Sequence, residues 1–198
     1  MSLRDAWGTL RLDRLSWPRA LLLLPLGWWL GRLASGASRS SVLDWVDLPF
    51  HEAGHLFFSP FGSTAHYLGG TLGQLVVPAG LCCYFLLRRG EPLGAALCGF
   101  WLGQSLVNVS VYMADARTLE LELVGGGDHD WNELFYRFGL LGESAVRRVS
   151  GLTHALGVAV MLCGLGWAFT LVLEPGSRSR MLSGVLQRRP WLRPLFDA

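Results

Sequence analysis

The sequence predicts an all-α fold, a polytopic membrane helix bundle with four to six membrane segments. Two observations carry that prediction. Of 198 residues, 51% are apolar and only 16% are charged, a balance far from that of a soluble domain. Three stretches, residues 68–87, 93–114 and 149–173, each approach or exceed the length needed to cross a bilayer and contain no Asp, Glu, Lys or Arg. A third observation is compositional: nine Trp and ten Phe suit a chain with aromatic belts at two interfaces. Nucleic acid is not an expected partner; the lipid bilayer is.

The elements follow in chain order. Residues 1–20 carry a basic lead to an apolar run without a small-residue cleavage site, which predicts a retained anchor. Residues 21–35 and 42–58 are shorter or interrupted apolar segments; the first contains Arg32, the second Asp44 and Asp47. After the three long segments and a charged stretch at 131–145, expected to be amphipathic and interfacial or packed against the bundle, residues 174–198 form a polar, Arg-rich tail. The expected domains are therefore a membrane-embedded body, 1–173, and that tail. Gly69 and Gly73, and Gly99 and Gly103, are spaced four apart, so each pair offers a smooth strip for close helix approach. Cys82, Cys83, Cys98 and Cys163 form no C-x-x-C pair and read as small apolar packers. All 17 basic residues are Arg. Their concentration before the first segment and in the tail predicts both termini in the cytoplasm and an even number of crossings.

Chemistry concentrates in "LPFHEAGHLFF", residues 48–58. Ionisable groups at membrane depth are costly and mark function by default. On a helix His51 and His55 share a face, at the separation that lets two imidazoles hold one Zn²⁺. Glu52 projects about 100° further round, able to reach a water on the metal without ligating it. A third ligand is needed. Gln104, Asn108, Tyr112 and Asp115 form one polar stripe on an otherwise apolar helix, expected to face the bundle interior, and Asp115 is the expected third ligand. The competitor is "VGGGDHDWNE", residues 124–133, whose flexible glycines deliver Asp128, His129 and Asp130 as a cluster suited to ligation or support. There His129 is expected near the site, as a ligand or as a donor to a developing oxyanion. His66 is expected at the interface, and His154 as a satisfied partner between helices.

These residues resemble the site-2 protease family of intramembrane zinc metalloproteases, which place H-E-x-x-H on one membrane helix and take an Asp ligand from a later one. Asn108 and Asp115 in "NVSVYMADA" stand in the order of that family's second motif. The chain lacks the motif's proline and has Ala114 and Ala116 where the family has Leu and Gly. The chain is also similar to small bacterial membrane proteins that pair HEAGH with a later GGG-acidic-HDW loop. The resemblance implies a metallopeptidase of the bacterial inner membrane acting on membrane protein or peptide substrates, with Glu52 as general base on zinc-bound water. The alternative is a membrane scaffold or partner-binding protein with a structural zinc site.

Overall fold

The computed structural model describes residues 21, 23–38, 40–123 and 128–173. The anchor lead, the tail and the glycines of the 124–127 loop lie outside them. The described residues are helical, without strands: α1 (Leu23–Ala34), α2 (Val42–Phe58), a 3₁₀ turn at Ser59–Phe61, α3 (Ser63–Leu87), α4 (Pro92–Asp115), α5 (Asp130–Arg137) and α6 (Glu143–Leu173). Among them α3 and α4, at 25 and 24 residues, and the 30-residue stretch Glu143–Val172 of α6 are long and apolar enough to cross a membrane.

Local chemistry sets the boundaries. Ser41 caps α2: its hydroxyl accepts from the Leu43 amide, and Asp44 accepts from the Ser41 amide. Gly62 sits at φ 101° between the 3₁₀ turn and α3, a conformation an L side chain rarely adopts, so α2 reverses sharply into α3. The charged stretch expected as one segment at 131–145 is two elements. Gly139, at φ 66°, ends the short α5, and Glu143 then opens α6.

Two close helix pairs build the bundle. In the first, α2 lies on α3. A methyl group on Gly54 would collide with the Gly69 carbonyl, and one on Gly73 with the Phe50 carbonyl. In the second, α4 lies on α6, where a Cβ on Gly103 would stand 2.5 Å from the Met161 nitrogen and one on Gly164 2.7 Å from the Phe100 nitrogen. Such contacts replace side-chain volume with backbone proximity, the usual route to tight packing between apolar helices. Gly99, the partner of Gly103 in the expected strip, has open space around it. The helix bearing the histidines has α3 as its broad partner. It reaches the Asp-carrying α4 through Trp101 and Ser105, which donate to buried Asp47 at 2.8 and 2.7 Å, and Gln104, which donates to Asp44 at 2.7 Å.

The bundle has two chemically different ends. At one, Arg137 of α5 donates to Ser63 at the start of α3, and Arg117 just after α4 pairs with Glu143 at the start of α6. At the other lie the Arg88–Glu91 turn between α3 and α4 and the end of α6. There α1 begins, with Leu23 packed beside Ala96, Ala168 and Val172. Leu33, near its end, reaches Phe100, Val107 and Met161. Helix α2 then finishes the passage to the Ser63 end. Together α1 and α2 carry the chain across the bundle once.

Candidate metal centre

His51 and His55 project from α2 onto the same spot, and α5 brings Asp130 to it. The Asp130 Oδ2 oxygen lies 3.0 Å from His51 Nε2 and 3.2 Å from His55 Nε2. Among the described residues, these three side chains form a group whose ligand atoms lie within 4.8 Å of one another, suited by geometry to a metal ion.

The outer nitrogens of the two rings fix what the inner ones can be. His51 Nδ1 is 2.8 Å from Gln74 Oε1, and His55 Nδ1 is 2.8 Å from the backbone oxygen of His66. Carbonyl oxygens only accept, so each Nδ1 carries its hydrogen. The Gln74 amide is oriented in turn, because its Nε2 donates to Asn108 Oδ1 and the Ser105 carbonyl at 3.3 and 3.4 Å. In neutral rings both Nε2 atoms therefore point lone pairs at a carboxylate oxygen. Three electron-rich atoms converging in a half-buried place need protons or a cation between them, and Nδ1–H bonded to a carbonyl with Nε2 free is how metal-ligating histidines are held. The donor set, two imidazoles and one carboxylate, is one that fits Zn²⁺.

Gly70 of α3 forms the wall of this spot. A Cβ there would stand 2.5 Å from His51 Nε2 and 2.6 Å from His55 Nε2. Gly70→Ala should therefore push the imidazoles aside and lower metal content although His51, His55 and Asp130 are all unchanged. Metal content measured on the purified variant checks this; full occupancy would mean that the rings approach the metal elsewhere.

Asp115, the expected third ligand, is not in the group, because its carboxylate is already used. Oδ1 accepts from the Thr118 hydroxyl at 2.7 Å and the Glu120 amide at 3.0 Å, and Oδ2 from the Leu121 amide at 3.2 Å. These bonds hold a turn in which Leu119 sits at φ 54°, a position unfavourable for a branched residue unless its surroundings impose it. The turn presents Leu119, Leu121 and Leu123 along a groove of about 250 Å³ beside Asp128 and His129.

The other expected residues surround the centre in supporting places. Asn108 accepts from Gln74, and the Tyr112 hydroxyl accepts from the Asp130 amide at 3.1 Å. Asp128 accepts from the Tyr67 hydroxyl at 3.0 Å. His129 caps α5, its Nδ1 accepting from the Asn132 amide at 3.2 Å, so its Nε2 carries the hydrogen. That Nε2 is 3.3 Å from Asp115 Oδ2 but poorly aligned for a hydrogen bond, and it is buried without a partner. Burial pushes the His129 imidazole below its usual pKa, against the pull of Asp115. Burial raises the Asp130 carboxyl, but contact with His51 and His55 outweighs it and holds the group below the usual carboxylate range. Glu52 is exposed on the next face of α2. His66 bonds Ser59 at 2.8 Å, and His154 lies 3.3 Å from the Ser110 hydroxyl, between helices.

Among the described residues, fold and site together define a helical chain with three membrane-length helices and, towards one end, a cluster of two histidines and one carboxylate able to hold a metal ion. No protein-family model matches the chain, and no curated protein or solved structure matches it.

Proposed function

We propose that this chain is an intramembrane zinc metallopeptidase whose metal is held by His51, His55 and Asp130. The observation that carries the reading is the convergence of two imidazole nitrogens, each with its other nitrogen tied to a carbonyl oxygen, on one buried carboxylate. Zn²⁺ bound there would polarise a carbonyl and lower the pKa of a water towards about 7.

The chain's own residues do the remaining work. Gln74 and the His66 carbonyl keep the imidazoles in the ligating tautomer. Tyr112 and the Asn132–His129 cap hold the start of α5, and so Asp130, in place. Glu52, one residue from His51 and on the open side of α2, takes the proton of the attacking water and passes it to the leaving amine. The water oxygen first bonds to the carbonyl carbon and the carbon–nitrogen bond then breaks as the nitrogen takes the proton, giving an acid and an amine. The leucine-lined groove, bordered by Asp128 and His129 just before Asp130, is where an extended polypeptide would lie. The buried His129 Nε2–H is a donor for a substrate carbonyl oxygen.

The purified, detergent-solubilised protein should contain about one zinc per chain. Replacing His51 and His55 together by Ala should leave none. Equal metal content in the two proteins would overturn the metal site, and with it the enzyme.

A further inference from the structure

We infer that the metal site opens to the extracytoplasmic side of the membrane, and that its substrates present the scissile peptide bond at the outer end of a membrane-spanning segment. The inference rests on the peptidase reading only for the identity of the substrate; the orientation stands on connectivity and charge.

The connectivity is that of the two ends. Helices α1 and α2 together cross once, and α3, α4 and α6 once each, which returns the chain to the end where α1 began. The sequence just before α1 carries arginines 4, 11, 14 and 19, and the α3–α4 turn carries 88 and 89. The sequence following α6 carries 178, 180, 188, 189 and 193, so eleven of the 17 arginines adjoin, in sequence, the helix ends that meet here. The Ser63 end has Arg117, Arg137, Arg147 and Arg148. Arginine in short flanks close to membrane segments stays in the cytoplasm, so the arginine-rich end is cytoplasmic and the Ser63 end is outside.

The metal site belongs to the outside end. Gly70, against which both Nε2 atoms rest, lies seven residues into α3, about 10 Å along the helix at 1.5 Å per residue. Asp130 arrives from the same side, on α5, and the groove lined by Leu119, Leu121 and Leu123 opens there. From the cytoplasm a polypeptide would have to pass most of the bundle's length. From outside it needs only to dip about two turns below the surface. A bond at the outer end of a membrane-spanning segment meets both requirements, being close to water and already at that depth.

Gly142, in the α5–α6 turn, has open space around its Cα, so Gly142→Cys is a benign probe. A membrane-impermeant maleimide should label it in intact bacterial cells as fully as after permeabilisation. The parent protein, whose four cysteines lie within α3, α4 and α6, sets the background. Labelling of Gly142→Cys only after permeabilisation would overturn the orientation. Two single-span test polypeptides, identical but for a susceptible stretch at the outer or the inner end, then address the substrate. Cleavage at the outer end alone is expected, and cleavage at the inner end alone would overturn the substrate assignment. Labelling in intact cells without cleavage of either polypeptide would remove the peptidase reading and leave the orientation standing.

Discussion

Asp130→Ala should lower zinc affinity by a factor of about 10³, whereas Asp115→Asn should change it by less than about tenfold. Loss of a group that merely supports a ligand costs about 10–100-fold, and loss of a ligand that itself meets the metal should exceed that. A factor of 10³ corresponds to about 4 kcal/mol of binding free energy. Asp130 Oδ2 is the only carboxylate oxygen in the described cluster, 3.0 and 3.2 Å from the imidazoles. Asp115 instead accepts three hydrogen bonds from its own turn. Asparagine there keeps one acceptor oxygen and loses the other, so the turn carrying Leu119 and Leu121 should loosen while the metal stays. Competition with a chromophoric chelator measures both affinities. A second readout is thermal: a ligand that binds only the folded state stabilises it, so chelation should lower the melting temperature of wild type and of Asp115→Asn, but not of Asp130→Ala. The reverse ranking of the two variants would restore Asp115 as the ligand.

That ranking also marks how far the sequence could be read. The pair His51 and His55 was legible because both lie on one helix, where spacing alone fixes a shared face. The all-helical class and the three membrane-length helices were legible for the same kind of reason, since length and hydropathy are local properties. The glycines of α3 were legible as a packing strip, although Gly70, one residue from Gly69 and turned towards the imidazoles, was not singled out. The carboxylate that meets the two histidines was not legible, because it depends on where a separate element lands. The stripe Gln104, Asn108, Tyr112, Asp115 is legible as one polar face turned to the bundle interior, but spacing does not show that each member serves a different element: Gln104 binds Asp44 of α2, Asn108 binds Gln74 of α3, Tyr112 binds the Asp130 amide of α5, and Asp115 holds its own turn. One signal for Asp130 was available. It directly follows His129, a residue placed to cap a helix, so its side chain leaves from the first turn of α5 in a fixed direction rather than from a flexible loop. Gln74 left a fainter trace, as a lone amide four residues beyond Gly70 in an apolar helix.

Glu52→Gln should leave zinc content and folding unchanged while reducing cleavage of a membrane-anchored test substrate by a factor of about 10²–10⁴, the span of a positioned general base. The side chain is exposed, so the amide is accommodated without repacking. It is adjacent in sequence to His51 but outside the group of converging ligand atoms, so the metal keeps all its protein ligands. What changes is the capacity to take a proton, which a neutral amide lacks. A kcat that falls with KM unmoved would place the loss in the chemical step rather than in substrate binding. Equal cleavage by wild type and Glu52→Gln would exclude Glu52 as the base. Zinc-loaded wild type that cleaves no membrane substrate in a broad panel would favour the non-catalytic alternative, in which the zinc ties α5 to α2 and the groove holds a partner rather than a substrate.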